Sequence, residues 1–302
     1  MSDLVGVVLA REGGAYRVML AGVERQAVLR GKAKRDVKRA VAGDRVRFDP
    51  ATVAEDILGI ESVEPRTSLL ERRIPEGRGT RPVAANVDQV LVVMAAADPA
   101  PIPQLLDRLL VVAEANDIPA LVVINKTDLA PASAVIAHLA ATGYDVIPVA
   151  ARQGEGIELL RTRLSGKESV FTGPSGAGKS SLLNALEPGL GLRIGAVSAR
   201  AGRGTHTTVS AVMIPLAIGG FVVDTPGFSD VGMWSMNRAH LDECFPEFRP
   251  AIGDCRFDDC THRSEPACAV RLLVENGTVP QSRYESYLAI FAELAALPED
   301  WQ

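Results

Sequence analysis

The 302-residue chain is 47% hydrophobic and 23% charged, a balance that supports buried cores and excludes extensive disorder. A net charge of −5 and a pI near 5.5 argue against a surface that is basic throughout, and the longest apolar run, residues 90–97, is strand-sized and too short to span a bilayer. Asp3 and Arg11 break any charged-then-apolar leader pattern, so the expected location is cytoplasmic.

Charge is unevenly placed along the chain. Residues 1–50 hold eleven Lys and Arg against six Asp and Glu, and six of those cations lie between Arg30 and Arg39. Within 1–66, β-branched or alternating segments at 5–9, 16–20, 24–29, 44–48 and 59–63 are punctuated by Gly13-Gly14, Gly22 and Gly43-Asp44. Five short strands in so short a stretch suit a closed barrel of the OB type, which often binds RNA but does not fix function. The cations at 30–39 read either as a solvated loop or as a directed contact with an anionic partner. Residues 67–82 place Arg72, Arg73, Arg78 and Arg81 among Gly, Pro and Glu, and predict a basic linker or mobile loop.

From 83 to 232 the pattern becomes strand, helix, strand. Segments 89–96 and 120–124 read as buried parallel strands, and 104–116, 133–142 and 157–164 as helices, which predicts a doubly wound sheet. Directly after the strand 120–124 come Asn125, Lys126, Thr127 and Asp128, similar to the NKxD motif of GTPases. A carboxylate at Asp128 can accept from guanine N1–H and the 2-amino group, a donor pair that adenine lacks. Asn125 would tie this loop to a phosphate loop, and the Lys126 stem would lie over the base. The resemblance to GTPases also implies a second base-side loop, at Ala150 and Ala151, where the Ala151 N–H would face guanine O6; Ala150 stands where that resemblance predicts a serine.

Gly173, Pro174, Ser175, Gly176, Ala177, Gly178, Lys179 and Ser180, followed by Ser181, fit the phosphate-loop pattern between a strand at 169–172 and a helix at 180–186. Glycines let backbone N–H groups turn onto phosphate oxygens, and the helix N-terminus adds partial positive charge. Lys179 would reach the β- and γ-phosphates, and Ser180 would ligate Mg²⁺. Further on, Gly202 to Thr208 form a polar loop. Its threonine, Thr208 in preference to Thr207, would complete the Mg²⁺ shell. Gly219-Gly220 reads as a hairpin turn, and Asp224 to Gly227 resemble the DxxG motif, with Asp224 on Mg²⁺ and Gly227 at the γ-phosphate. Phe228 follows where many small GTPases carry a water-orienting Gln, so His206 is the candidate for that role.

Residues 233–302 carry all four cysteines. Cys255, Cys260, His262 and Cys268 are three thiolates and an imidazole, a closed donor set of the structural zinc type. Cys244 reads as a packed core residue. Ser282 and Glu285 have capping-box spacing, and Tyr284, Tyr287, Leu288, Phe291 and Leu294 share a helical face. No heptad or association surface is visible, so a monomer is expected.

The base-reading motif precedes the phosphate loop, the reverse of the ordinary GTPase order, as a circular permutation would produce. The γ-phosphate-sensing loop then runs straight into the C-terminal unit, which loss of phosphate could swing or release. With the barrel and its Gly43-Asp44-Arg45-Val46, NKTD at 125, GPSGAGKSSLLN at 173, GRGTHTT at 202, DTPGF at 224, FPEF at 245 and the cysteine cluster, the chain resembles the RsgA (YjeQ) family over nearly its whole length. The resemblance implies three domains: an OB barrel (1–66), a circularly permuted P-loop GTPase domain (83–232) and a zinc-binding helical domain (233–302). It implies GTP, GDP, Mg²⁺, one Zn²⁺, and the small ribosomal subunit and its rRNA as ligands and partner. It assigns His206, Lys179 and Thr208 to hydrolysis. Ala150 departs from the family serine, and Thr205 from a frequent arginine. Phe228 leaves open an RNA-binding scaffold with little turnover, and a P-loop ATPase is opposed by Asp128.

Overall fold

The computed structural model describes residues 4–31, 39–73, 80–190, 211–224 and 238–296. Alternating apolar residues along β1 (Val5–Glu12), β2 (Ala15–Leu20), β3 (Val23–Leu29), β4 (Arg45–Phe48) and β5 (Ile57–Val63) close a barrel in the order β1-β2-β3-β5-β4. Val8, Val18, Ala27, Val46, Phe48, Leu58 and Ile60 fill it. The expected linker differs: β6 (Leu69–Arg73) and β7 (Thr80–Ala85) pair antiparallel. Their strand signal is weak because only the paired end, Leu69 and Leu70 against Ala85 and Ala84, is apolar.

The main sheet contains β8 (Gln89–Ala95), β9 (Ala120–Asn125), β10 (Asp145–Val149), β11 (Glu168–Thr172), β12 (Val212–Pro215) and β13 (Phe221–Asp224), ordered β10-β9-β8-β11-β13-β12. All neighbours are parallel except β12 and β13, which turn on Gly219 and Gly220, both at positive φ (81° and 85°). The crossover helices are α1 (Pro103–Glu114), α2 (Ser133–His138), α3 (Ile157–Leu164) and α4 (Lys179–Leu186). α2 is shorter than the expected 133–142. Strand side chains alternate between two cores, so Val90, Val92 and Met94 pack with α1, while Leu91 and Val93 pack with α3 and α4. After β8 the chain winds outward to β9 and β10, then returns to the other side of β8 as β11. The crevice of a doubly wound sheet therefore opens above the C-terminal ends of β8 and β11.

Among the described residues beyond β13, α5 (Ala269–Glu275) and α6 (Gln281–Ala295) follow three short 3₁₀ turns. Tyr284, Tyr287, Phe291 and Leu294 of the expected α6 face are buried, with Cys244, Phe245 and Phe248, in the same core as α1. The capping box does not form. α6 starts one residue before Ser282, and the Ser282 hydroxyl meets His138 Nδ1 at 2.7 Å instead.

The Gly43-Asp44-Arg45-Val46 segment joins the barrel to the sheet. Gly43 has φ +89°, and a Cβ there would stand 2.0 Å from the Ala85 carbonyl oxygen. The Ala85 N–H donates to the Ala42 carbonyl (2.9 Å), and Asn86 Nδ2 donates to the Gly43 carbonyl (2.8 Å). Asp44, fully buried, accepts two bonds from Arg66 (2.7 and 2.9 Å) and one from the Val41 N–H (2.7 Å).

Beside this junction Glu168, at the base of β11, lies 4.0 Å from Arg45. Its Oε2 is buried with no hydrogen-bond partner among the described residues. Burial raises its pKa to about 7, opposed by Arg45 and reinforced by Asp88. As pH rises from the ordinary 4.5 through about 7, the folded chain must accept a charge that its surroundings disfavour, so stability falls across that window. Glu168→Gln removes the titration and should stabilise the protein by up to about 3 kcal/mol at pH 8, with almost no gain at pH 4. Urea midpoints at the two pH values test this, and an equal gain at both would refute it.

Candidate nucleotide and metal sites

The phosphate loop leaves β11 across the end of β8. Gly173 has φ +139°, and a Cβ would meet the Val93 carbonyl oxygen at 2.0 Å, so only glycine passes here. Gly178 has φ +91°, and its Cβ would lie 2.2 Å from Asn125 Nδ2. Lys179 opens α4 and turns back over the loop, donating to the carbonyls of Gly173 (2.5 Å) and Pro174 (3.0 Å). Burial lowers the Lys179 pKa, and Asp224 opposes the shift. Ser180 is buried in the first turn of α4. Asp224 ends β13 in register with Phe171 of β11.

Asn125 ends β9 and joins the loops as expected. It donates through Nδ2 to the Ala177 carbonyl (3.0 Å) and accepts through Oδ1 from the Ala151 N–H (3.2 Å). The Ala151 N–H, expected to face guanine O6, thus donates to Asn125 in this structure. A base oxygen there would share that donor or displace Asn125 from it. Lys126, at φ +64°, donates to the Asp98 carbonyl, and the Thr127 N–H donates to Val149 (3.2 Å). Asp128 is exposed, lines the cleft and has no hydrogen-bond partner among the described residues.

The cleft brings Asn125, Lys126, Asp128 and Ala151 together with Ser175, Gly176, Gly178, Lys179, Ser180 and Ser181. Gly173, Pro174, Ala177, Thr127 and Ala150 stand behind it: Ala177 and Ala150 are fully buried, and Gly173, Pro174 and Thr127 act through their backbones. Asp98, Leu129 and Arg152 also line the cleft and were not anticipated. The position of Asp98, after the buried β8 at the crevice, was the available signal. Thr205, His206, Thr207, Thr208, Gly227 and Phe228 lie outside the described residues.

The second site gathers Cys255, Cys260, His262 and Cys268, with one donor atom from each lying within 4.8 Å of all the others. Tetrahedral zinc, with Zn–S about 2.3 Å and Zn–N about 2.05 Å, sets S···S near 3.8 Å and S···N near 3.6 Å. Cys255 and Cys268 sulfurs are 3.8 Å apart, and His262 Nδ1 lies 3.5 and 3.4 Å from them. The donor set therefore fits that ion. Asp242, unrecognised in the sequence, holds His262 Nε2 at 3.1 Å and so fixes the ring with Nδ1 toward the thiols. The Ala269 and Arg271 N–H groups donate to the sulfurs of Cys255 (3.3 Å) and Cys268 (3.4 Å).

A family model described as RsgA GTPase matches residues 63–234. The chain belongs to the RsgA GTPase family. It is 48% identical to the small ribosomal subunit biogenesis GTPase RsgA of Gemmatimonas aurantiaca, across 97% of this chain and 98% of that one. The protein of the same name from Moorella thermoacetica is 42% identical, across 96% and 97%. Among solved structures, YjeQ from Thermotoga maritima superposes with a TM-score of 0.79 at 33% identity, covering 98% of this chain and all of its own. YloQ, described as a circularly permuted GTPase, gives 0.78 at 29% identity over 98% of this chain and 97% of its own. The RsgA fold is thus the permuted one: the phosphate-loop strand β11 follows the base-side strands β8–β10 in the chain, yet lies beside β8 in the sheet.

Two tests follow from this geometry. Gly178→Ala drives a methyl into Asn125 and should weaken guanine-nucleotide binding about tenfold or more, as expected for one lost buried hydrogen bond; titration calorimetry measures it, and unchanged affinity would show that the Asn125 contact is dispensable. Purified protein should carry one metal equivalent, and chelation should open the 255–268 segment to protease while the barrel stays resistant. Protease resistance of that segment after full metal removal would show that side-chain packing alone holds it.

Proposed function

We propose that this protein is a GTPase of small-ribosomal-subunit assembly, which engages the maturing subunit in its GTP state, hydrolyses GTP when stimulated by the subunit, and then dissociates. The observation that carries this reading is one cleft lined by Asp128 and by Lys179 of the phosphate loop, with Asn125 bonded to Ala177 of that loop and to Ala151. The relatives named above as small ribosomal subunit biogenesis GTPases support the choice of partner.

In this reading Asp128 accepts from the guanine edge, Lys126 and Ala151 flank the base, and residues 173–181 wrap the phosphates. Ser180, Thr208 and Asp224 hold Mg²⁺, which when bound neutralises the β- and γ-phosphate oxygens. Lys179 exchanges its two loop carbonyls for phosphate oxygens, which regain for its ammonium the charged partners that burial denies it. Thr207, Thr208 and Gly227 sense the γ-phosphate, and His206 orients the attacking water in the position that Phe228 cannot serve. Zinc fills the cysteine–histidine cluster as a structural ion. The chain acts as a cytoplasmic monomer with its barrel at 1–66, GTPase unit at 83–232 and metal-bearing unit at 233–302. Among the described residues no helix is long and apolar enough to cross a membrane.

Phe228 favours a second reading, an RNA-binding scaffold that uses nucleotide as a switch with little turnover. GTP turnover, measured with and without purified small subunits, separates the two. Stimulation by small subunits but not large ones, lost in Lys179→Ala by a factor of about 10² or more, is expected for the enzyme. Tight GDP binding without turnover under either condition would favour the scaffold.

A further inference from the structure

The geometry points to Asp107 as a positioning residue that clamps the two base-side helices to the metal-bearing unit and thereby sets guanine-nucleotide release. The inference rests on the guanine-nucleotide reading of the cleft. Asp107 lies on α1, has no exposed surface, and is bonded from two directions. Arg283 of α6, also fully buried, donates to its Oδ1 at 2.5 Å. His138 at the end of α2 meets both carboxylate oxygens through Nε2, at 2.8 and 3.0 Å, and reaches back to Ser282 of α6 through Nδ1 at 2.7 Å. Arg283 also bonds Glu247 twice (2.6 and 3.1 Å), and its guanidinium carbon stands 4.7 Å above the Phe245 ring centre. Each charge in this cluster faces an opposite charge or a polar partner, as burial at this depth requires.

The two ends of the cluster are what give it a role. α1 follows the Asp98-Pro99 turn, whose Asp98 carbonyl accepts from Lys126 and whose Pro99 Cδ would stand 3.1 Å from a Cβ at Gly176. α2 follows the loop that carries Asn125 to Asp128. Both walls of the base side are therefore rooted in helices that Asp107 ties together. On α6, the residues beside Arg283 hold the metal segment: Tyr284 donates to the His262 carbonyl at 2.7 Å and Tyr287 to the Thr261 carbonyl at 2.8 Å. Polar contacts thus run from the cysteine–histidine segment to Asp107 and His138, and the α1 and α2 backbones lead on from there to the guanine loops.

A mere docking contact would add stability without touching base selectivity, and the experiment uses that difference. GDP release from the full-length, metal-loaded protein is followed by fluorescence of a labelled nucleotide, and GDP and inosine diphosphate affinities are compared. Asp107→Asn and His138→Gln should accelerate release about tenfold and narrow the preference for GDP about fivefold, in the range of ordinary site-to-site coupling. Arg108→Gln, at the half-exposed ion pair with Glu293 on the same helix interface, should change neither by more than about twofold. Where the first two variants lose metal or helical content, Ser282→Ala removes only the outer bond to His138 and should accelerate release about threefold with the same narrowing. Release and preference both within twofold of the parent in folded variants would overturn the inference. Failure of the parent itself to bind GDP would instead remove the nucleotide reading beneath it.

Discussion

The side chain of Asn125 sits where three backbones meet. Its amide nitrogen is held by the Ala177 carbonyl, its oxygen takes the Ala151 N–H, and its bulk leaves no space for a Cβ at Gly178. One primary amide, with one donor face and one acceptor face, therefore fixes the distance between the loop that would read the base and the loop that would hold the phosphates. That spacing cannot be set by the strands alone, because β9 and β11 are not neighbours; β8 lies between them. Glycine at 173 and 178 is the other half of the same constraint, since the phosphate loop passes the Val93 backbone at the first position and the Asn125 side chain at the second at distances that leave no space for a Cβ.

The C-terminal unit is joined to the sheet by more than its covalent connection. Phe245, Phe248, Tyr287 and Leu294 share a core with Leu106, Leu110 and Val90. Arg283 and two carboxylates are sealed at that boundary. A free swing of this unit, as the motif order first implies, would leave those charges unpaired, and breaking such a buried pair costs on the order of 3–5 kcal/mol. Movement is better accommodated by α1 and α6 shifting together than by their separation. The barrel side is similarly tied, through the Asn86 side chain to the Gly43 carbonyl and through the Ala85 N–H to the Ala42 carbonyl.

Much of this was legible in the residues themselves. The five barrel strands, the Ile157–Leu164 helix, the Gly219-Gly220 turn and the cysteine–histidine cluster stand where alternation, spacing and glycine placement put them. Local patterns failed where tertiary partners decide. β6 and β7 form in a segment rich in arginine because one end of the pair is covered by apolar residues from elsewhere. Ser282 has a capping sequence but is claimed by His138, 144 residues away in the chain. Asp242 and Asp98 carry no motif, and only the folded chain brings the first to His262 and the second to the cleft. Asp107 in the run Leu-Leu-Asp-Arg-Leu-Leu looks like a surface carboxylate of an amphipathic helix, since its cationic partner comes from a helix at the far end of the sequence.

The strand order also bears on how the protein is made. Synthesis delivers β8, β9 and β10 with their short crossovers well before β11, so half of the sheet can form while the strand that must lie beside β8 is still being translated. Until β11 arrives, the outer edge of β8, with Val90, Leu91, Val92 and Val93 in a row, has no pairing partner. Such an apolar edge is a template for misplaced strands from other chains. The nascent chain therefore passes through a stage in which this apolar strand edge is open, and the segment that covers it is the one leading into the phosphate loop.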